Sequence, residues 1–297
     1  MTRLQANLVL LLAGAMWGMG FVAQSTAMQH LGPLLFIGLR FLAATLAMLP
    51  FALRESRRAT EPLTTRDWRA FLVIGGLLLG GMIAQQFGLL TTSVTNSGFL
   101  TGLYVVMVPL FGVALFREWP HPVVWPCALA AFIGIWLLSG GTVSALTVGD
   151  WLTILCAAIW ALQLIMIARH AAHTGRPVTL AVTQFAVCAT GGMTLGLAFE
   201  PFDTAAIAAA LPEILYAGIF SGGIAFTLQA VGQRHTTASQ AAIFLSSEAV
   251  FAGLFGAIFL GERVPAIGLI GCALIFAAIV AVETLPAMFG RKASVTP

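Results

Sequence analysis

Ten apolar runs, each about as long as a bilayer is thick and each ended by charge, proline or glycine, limit this chain to very few folds. A membrane-spanning helix needs about 20 mostly apolar residues. The runs fall at 5–24, 32–52, 69–91, 94–116, 121–139, 149–169, 177–198, 211–232, 237–259 and 264–285. With 59 % hydrophobic and 8 % charged residues and a mean hydropathy of +0.97, the chain cannot cover a water-facing surface with polar groups. A soluble domain carries roughly 25 % charged residues. The expected fold is therefore an all-α integral membrane protein with ten transmembrane helices. The first run follows a single basic residue and shows no small-residue cleavage site, so it reads as a span rather than a leader.

An internal echo divides the runs. Leu110-Phe111-Gly112 recurs as Leu254-Phe255-Gly256, an offset of 254 − 110 = 144, and a glutamate stands six residues after each glycine, Glu118 and Glu262. At the same offset Thr95-Asn96 faces Ser239-Gln240, and Phe41 faces Phe185. A constant offset across three segments, close to half of 297 residues, marks two copies of one unit, 1–140 and 141–297. Five spans per copy is an odd number, so the second copy enters the membrane upside down. Many secondary transporters use this inverted-repeat plan. Glu118 and Glu262 sit at span ends and read as fixing the turns that follow.

Orientation follows from where the cations lie. With the N-terminus inside, the inner links hold Arg3, Arg54, Arg57, Arg58, Arg66, Arg69, Arg117, Arg169, Arg176, Arg234, Arg291 and Lys292, whereas the outer links hold Arg263 alone. Both termini are expected in the cytoplasm. The arginine-rich link from Arg54 to Trp68 is expected to touch anionic lipid head groups, and no nucleic-acid partner is expected.

The chain lacks the patterns of an enzyme: GxSxG, HExxH and a P-loop are all missing. The histidines fall at span ends, and Cys127, Cys156, Cys188 and Cys272 stand singly in apolar runs, so neither a metal site nor a cofactor is expected. What the spans do hold is amides, hydroxyls and aromatics, concentrated in spans 1, 3, 4, 6, 8 and 9. An unpaired polar group in hydrocarbon costs roughly 2–7 kcal/mol, so these side chains should face the bundle interior. They give a candidate substrate site of Trp17, Phe21, Gln24, Gln85, Gln86, Asn96, Phe99, Tyr104, Trp160, Gln163, Gln229, Gln240 and Phe244. Helix-to-helix hydrogen bonding is the competing role for each amide. Two charges lie well inside spans. Glu248 reads as a coupling site, an ammonium contact or a structural carboxylate. Arg40 reads as a snorkelling or structurally paired cation, with substrate-carboxylate binding as the alternative.

Several of these pieces resemble the EamA-type drug/metabolite transporter superfamily. The matching stretches are Ala15-Met-Trp-Gly18, its weaker copy Ala158-Ile-Trp160, Pro109-Leu-Phe-Gly112 through Glu118, and Glu248-Ala-Val-Phe251 through Gly261-Glu262. Within that superfamily the chain looks most similar to the YddG-type exporters of aromatic amino acids. The resemblance implies a ten-helix basket around a central cavity, inward–outward alternation, a bacterial inner membrane and a chain that functions as a monomer. Span 1 has no acidic residue, which argues against proton-coupled export of cationic drugs, and Ala249 replaces the proline that many members carry after the glutamate.

The leading expectation is an exporter of amino acids, aromatic and hydrophobic ones foremost, held by aromatic walls and neighbouring amides. Phosphorylated substrates would call for several basic residues in the cavity, and the spans do not hold them. Export of nucleobases or neutral drugs is the alternative in the same class; a channel or a non-transporting scaffold is the alternative outside it.

Overall fold

The structure, a computed structural model, describes residues 1–138, 146–263 and 266–288. The expected boundary between the two copies, the cytoplasmic Arg291 and Lys292, and the side chain of Thr95 lie outside the described residues. Every regular element among the described residues is a helix. In order they are α1 (Arg3–Ala27), α2 (Pro33–Arg58), α3 (Thr65–Gly88), α4 (in two segments, Val94–Thr101 and Tyr104–Phe116) and α5 (Val124–Leu138). Then come α6 (Val148–Thr174), α7 (Pro177–Phe199), α8 (Leu211–Gln233), α9 (in two segments, Ala238–Leu245 and Ser247–Leu260) and α10 (Ala266–Met288). A short helix, Thr204–Ala209, precedes α8.

Nine helices among the described residues are long and apolar enough to cross a bilayer, and α5 is a shorter apolar helix. Its 15 residues reach about 22 Å at 1.5 Å per residue, short of the roughly 30 Å hydrocarbon core. Arg3 in α1 pairs with Glu283 in α10 at 3.1 Å. The start of α1 and the end of α10 therefore meet at one end of the bundle.

Helix starts follow local chemistry. Thr2, Thr64 and Thr147 each accept from the third residue of their helix, and the side chains of Gln5, Asp67 and Asp150 accept from the cap backbone in return. These reciprocal bonds satisfy amides that a helix N-terminus otherwise leaves open. Helices α2 and α7 begin differently, with Pro33 and Pro177 in the first turn and no side-chain cap of their own. Each is capped by the far end of the other. Glu200, just past α7, accepts from the Leu34 and Leu35 amides at 2.9 and 2.7 Å. Glu55, near the end of α2, accepts from the Val178 and Thr179 amides at 3.1 and 2.7 Å and from the Thr179 hydroxyl at 2.7 Å. Between the two staples the helices touch backbone to backbone, and a Cβ at Gly38 would come within 2.6 Å of the Met193 nitrogen.

The spacing of 144 returns in the geometry. Helix α4 breaks at Gly102 and α9 at Ser246 (246 − 102 = 144). Both then end on a left-handed residue, Arg117 at φ 57° and Gly261 at φ 67° (261 − 117 = 144). The next amide folds back in each case, Glu118 to the Gly112 carbonyl at 2.9 Å and Glu262 to the Gly256 carbonyl at 3.2 Å. The repeated Leu-Phe-Gly with its trailing glutamate is thus a helix C-cap closed through a left-handed residue. Packing partners are exchanged when five is added to the helix number: α2 packs on α7 and α5 on α10, α3 on α6 as α1 on α8, and α2 on α8 as α7 on α3. Phe41 and Phe185, also 144 apart, lie with ring centroids 6.0 Å from each other. The outer surface is strongly apolar, with Leu46, Leu115, Phe199, Ile258 and Leu269 all more than half exposed, as a surface in contact with acyl chains requires.

Candidate functional site

Helix α8 organises the centre of the bundle. Its middle, Tyr216–Ala225, is wound as a π-helix of 10 residues, a rare winding that gathers at functional sites. Its small residues let it lie against α2, where a Cβ at Gly218 would come within 2.6 Å of the Arg40 carbonyl oxygen. The winding also presents the Ser221 carbonyl to α1, and the Trp17 indole Nε1 donates to it at 3.0 Å. Phe226 follows directly and becomes the hub of an aromatic cluster. Its ring centroid lies 4.7 Å from Trp17, 6.3 Å from both Phe41 and Phe185, and 6.4 Å from Trp160, within the range where tilted and edge-on rings attract.

Two cavities border this cluster. Of the expected site residues, Trp17, Phe21, Gln24, Gln85, Trp160 and Glu248 line the first, and Trp17, Tyr104, Trp160, Gln163 and Gln229 line the second. Each cavity measures about 10 Å³, the scale of a single water. The centre is closed around its aromatic rings, and anything larger than water needs those rings to move.

Five expected residues lie elsewhere. Asn96 and Gln240 occupy the first turns of α4 and α9, at the ends of the bundle. The Asn96 amide donates to Asp150 Oδ1 at 2.7 Å, beside Thr92 at 3.0 Å, and so clasps the start of α4 to that of α6. Gln240 accepts from the Thr236 hydroxyl at 3.0 Å and belongs to the start of α9. Phe244 packs in the apolar core and Phe99 packs against it. Gln86 is wholly buried away from both cavities, and neither of its amide atoms has a partner.

The candidate site drawn from the sequence lacks Phe226, Ser221, Met82, Leu164 and Arg40, which complete the two linings. Arg40 does not snorkel: it is 1 % exposed and lines the first cavity. Phe41 and Phe36 flank its guanidinium at 4.8 and 5.6 Å, and Nη2 donates to the Met82 sulfur at 3.4 Å. The guanidinium offers five donors, and both Nε and Nη1 are buried without a partner. Across the same cavity Glu248 is also 1 % exposed and keeps Oε1 unpartnered beside Tyr104. No ion pair joins Arg40 to Glu248. Other lining residues hold unpartnered groups too, Gln24 Oε1, Tyr104 Oη and Gln229 Oε1, while the equally unpartnered Trp160 Nε1 lies against Gly81. Gln85 and Gln163 are tied instead to Thr101 at 3.2 Å and to Gln184 at 2.7 Å. The centre therefore combines aromatic walls with an excess of buried polar groups that the protein itself leaves unpaired. A polar ligand with an apolar body would satisfy both. Among the described residues no cluster of His, Cys, Asp and Glu could hold a metal ion.

Comparison with known proteins bears on the family and the fold. The model of the EamA-like transporter family matches the chain twice, over residues 4–140 and 147–284. An uncharacterized transporter from Archaeoglobus fulgidus is 31 % identical over 285 residues, covering 95 % of this chain and 86 % of the relative. A crystal structure described only as that of a protein superposes with a TM-score of 0.79 over 98 % of this chain and 100 % of its own, at 19 % identity, a likeness of fold. By the family match and the relative together, this multi-pass membrane protein belongs to the EamA-like transporter family.

Proposed function

We propose that this chain exports amino acids, aromatic and hydrophobic ones foremost, together with related metabolites, as the YddG-type exporters do. It works as a monomer in a bacterial inner membrane, with both termini in the cytoplasm. The observation that carries the reading is the Trp17–Phe226–Trp160 cluster bordered by buried polar groups without partners. Stacking against Trp and Phe suits an indole or phenyl side chain, and the unpaired groups suit its polar head. The exchange of packing partners between helices five apart supports alternating access by two inverted copies rocking about a midplane site. In this cycle the water-sized cavities belong to an occluded state that widens towards either side.

Cells carrying the chain and preloaded with labelled phenylalanine, tryptophan or glycine test the proposal. Efflux of the aromatic pair should exceed that of cells without the protein, and by more than for glycine. Equal efflux of all three with and without the protein would overturn it.

A further inference from the structure

We infer that Arg40 and Glu248 form a two-ended site for the head of a free amino acid, Arg40 taking the α-carboxylate and Glu248 the α-ammonium. This rests on the reading that the central cavities are the substrate site. The two residues belong to different halves of the chain. Arg40 stands on α2, which is stapled to α7 at both ends. Glu248 stands on α9 where it runs closely past α1: a Cβ at Gly14 would come within 3.3 Å of the Glu248 nitrogen. A ligand held by both would bridge the two halves.

The physical case begins with what the two charges lack. A lone charge at bilayer depth costs about 2.5–3.5 kcal/mol on insertion scales, and ions buried at such depth are ordinarily paired with one another or with backbone carbonyls. Here opposite charges line the same water-sized cavity and are not joined, and each keeps donors or acceptors free. Arg40 spends one donor on the weak acceptor Met82 and covers its faces with Phe36 and Phe41. The free Nε and Nη1 leave Arg40 able to take a carboxylate, and the second hydrogen of Nη2 completes a fork with either of them. Glu248 is acceptor-only when ionised, and its free Oε1 suits an ammonium. A zwitterion is the ligand that answers both without adding net charge to the membrane interior. Its side chain would then lie on the aromatic cluster around Phe226, which borders the same cavity.

The test uses the purified full-length chain in liposomes, with uptake of labelled phenylalanine competed by phenylalanine, by phenethylamine (no carboxylate) and by 3-phenylpropionate (no ammonium). Each truncated analogue should compete at least ~10-fold more weakly than phenylalanine, because a site built to bind a polar group rejects ligands that lack it. Arg40→Gln should shrink the discrimination against phenethylamine while leaving that against 3-phenylpropionate. Glu248→Gln should do the reverse. Thermal melting of both variants checks that they fold, and the wild-type comparison stands whether or not they do. If phenylalanine is transported and both analogues compete as well as it does, the two-ended site is wrong while amino-acid export stands. If the folded wild-type protein moves no amino acid at all, the proposed function falls and takes this inference with it.

Discussion

Removing the Glu200 carboxylate should loosen α2 from α7 by an amount that the structure fixes within limits. In Glu200→Ala the Leu34 and Leu35 amides lose acceptors at 2.9 and 2.7 Å. Hydrogen bonds to a charged group are worth about 1.5–3 kcal/mol each, so the pair sets an upper bound of roughly 3–6 kcal/mol. Glu200 is half-buried, and water can reach part of the gap, which brings the expected loss to about 2–4 kcal/mol. At about 2 °C per kcal/mol for a large domain, the apparent Tm in detergent should fall by roughly 4–8 °C. Glu55→Ala removes three donors' acceptor at the opposite end of the helix pair and should cost at least as much. The two staples lie about 30 Å apart at 1.5 Å per residue, so the double variant should equal the sum of the singles within about 0.5 kcal/mol. Melting within about 1 °C of wild type for both singles would refute the idea that these carboxylates hold the pair together.

Other consequences are simpler. Gly18→Val should drive α1 from α9, since a Cβ there would already stand 2.7 Å from the Ala252 nitrogen; a lower melting temperature and loss of transport are expected. Phe226→Ala removes the hub of the aromatic cluster and should cost about 3–5 kcal/mol, measured by melting, and should weaken transport of phenylalanine more than that of glycine. Trp17→Phe keeps an aromatic ring but strips the Ser221 carbonyl of its donor, a loss of about 1–3 kcal/mol, whereas Trp17→Ala should also reduce aromatic transport selectively. Asn96→Ala breaks one bond to Asp150 and should raise the reactivity of nearby engineered thiols towards impermeant reagents without abolishing substrate binding.

The helices, their approximate bounds and the doubled character of the chain were legible because hydropathy and a fixed residue offset are properties of sequence alone. Glu118 and Glu262 were read as fixing the turns; the turns are closed by their backbone amides, and the Glu118 carboxylate pairs with Arg169 at 3.0 Å. The capping of α2 and α7 by Glu200 and Glu55 was not read, although Pro33 and Pro177 stand 177 − 33 = 144 apart and announce two equivalent helix starts without caps. What joins them are contacts 165 residues apart (Leu35 to Glu200) and 124 residues apart (Glu55 to Thr179), and periodicity does not report distant contacts. Asn96 and Gln240 were placed in the site by chemistry alone; their positions in the first helical turn, where free amides need acceptors, pointed to the helix ends. Phe226 was one phenylalanine among 21, and its central place depends on the π-winding before it, for which Gly222-Gly223 is the only local hint. Arg40 was recognised as lying inside a span, but its enclosure by the packing of α8 on α2 is a tertiary contact that hydropathy does not report.

Uptake of labelled tryptophan into liposomes holding the purified protein, measured with and without a pH gradient, tests the central claim most directly. Saturable uptake that phenylalanine competes and that Trp17→Ala and Trp160→Ala diminish is the expected result. Absence of uptake under both conditions, from protein that melts cooperatively, would contradict it.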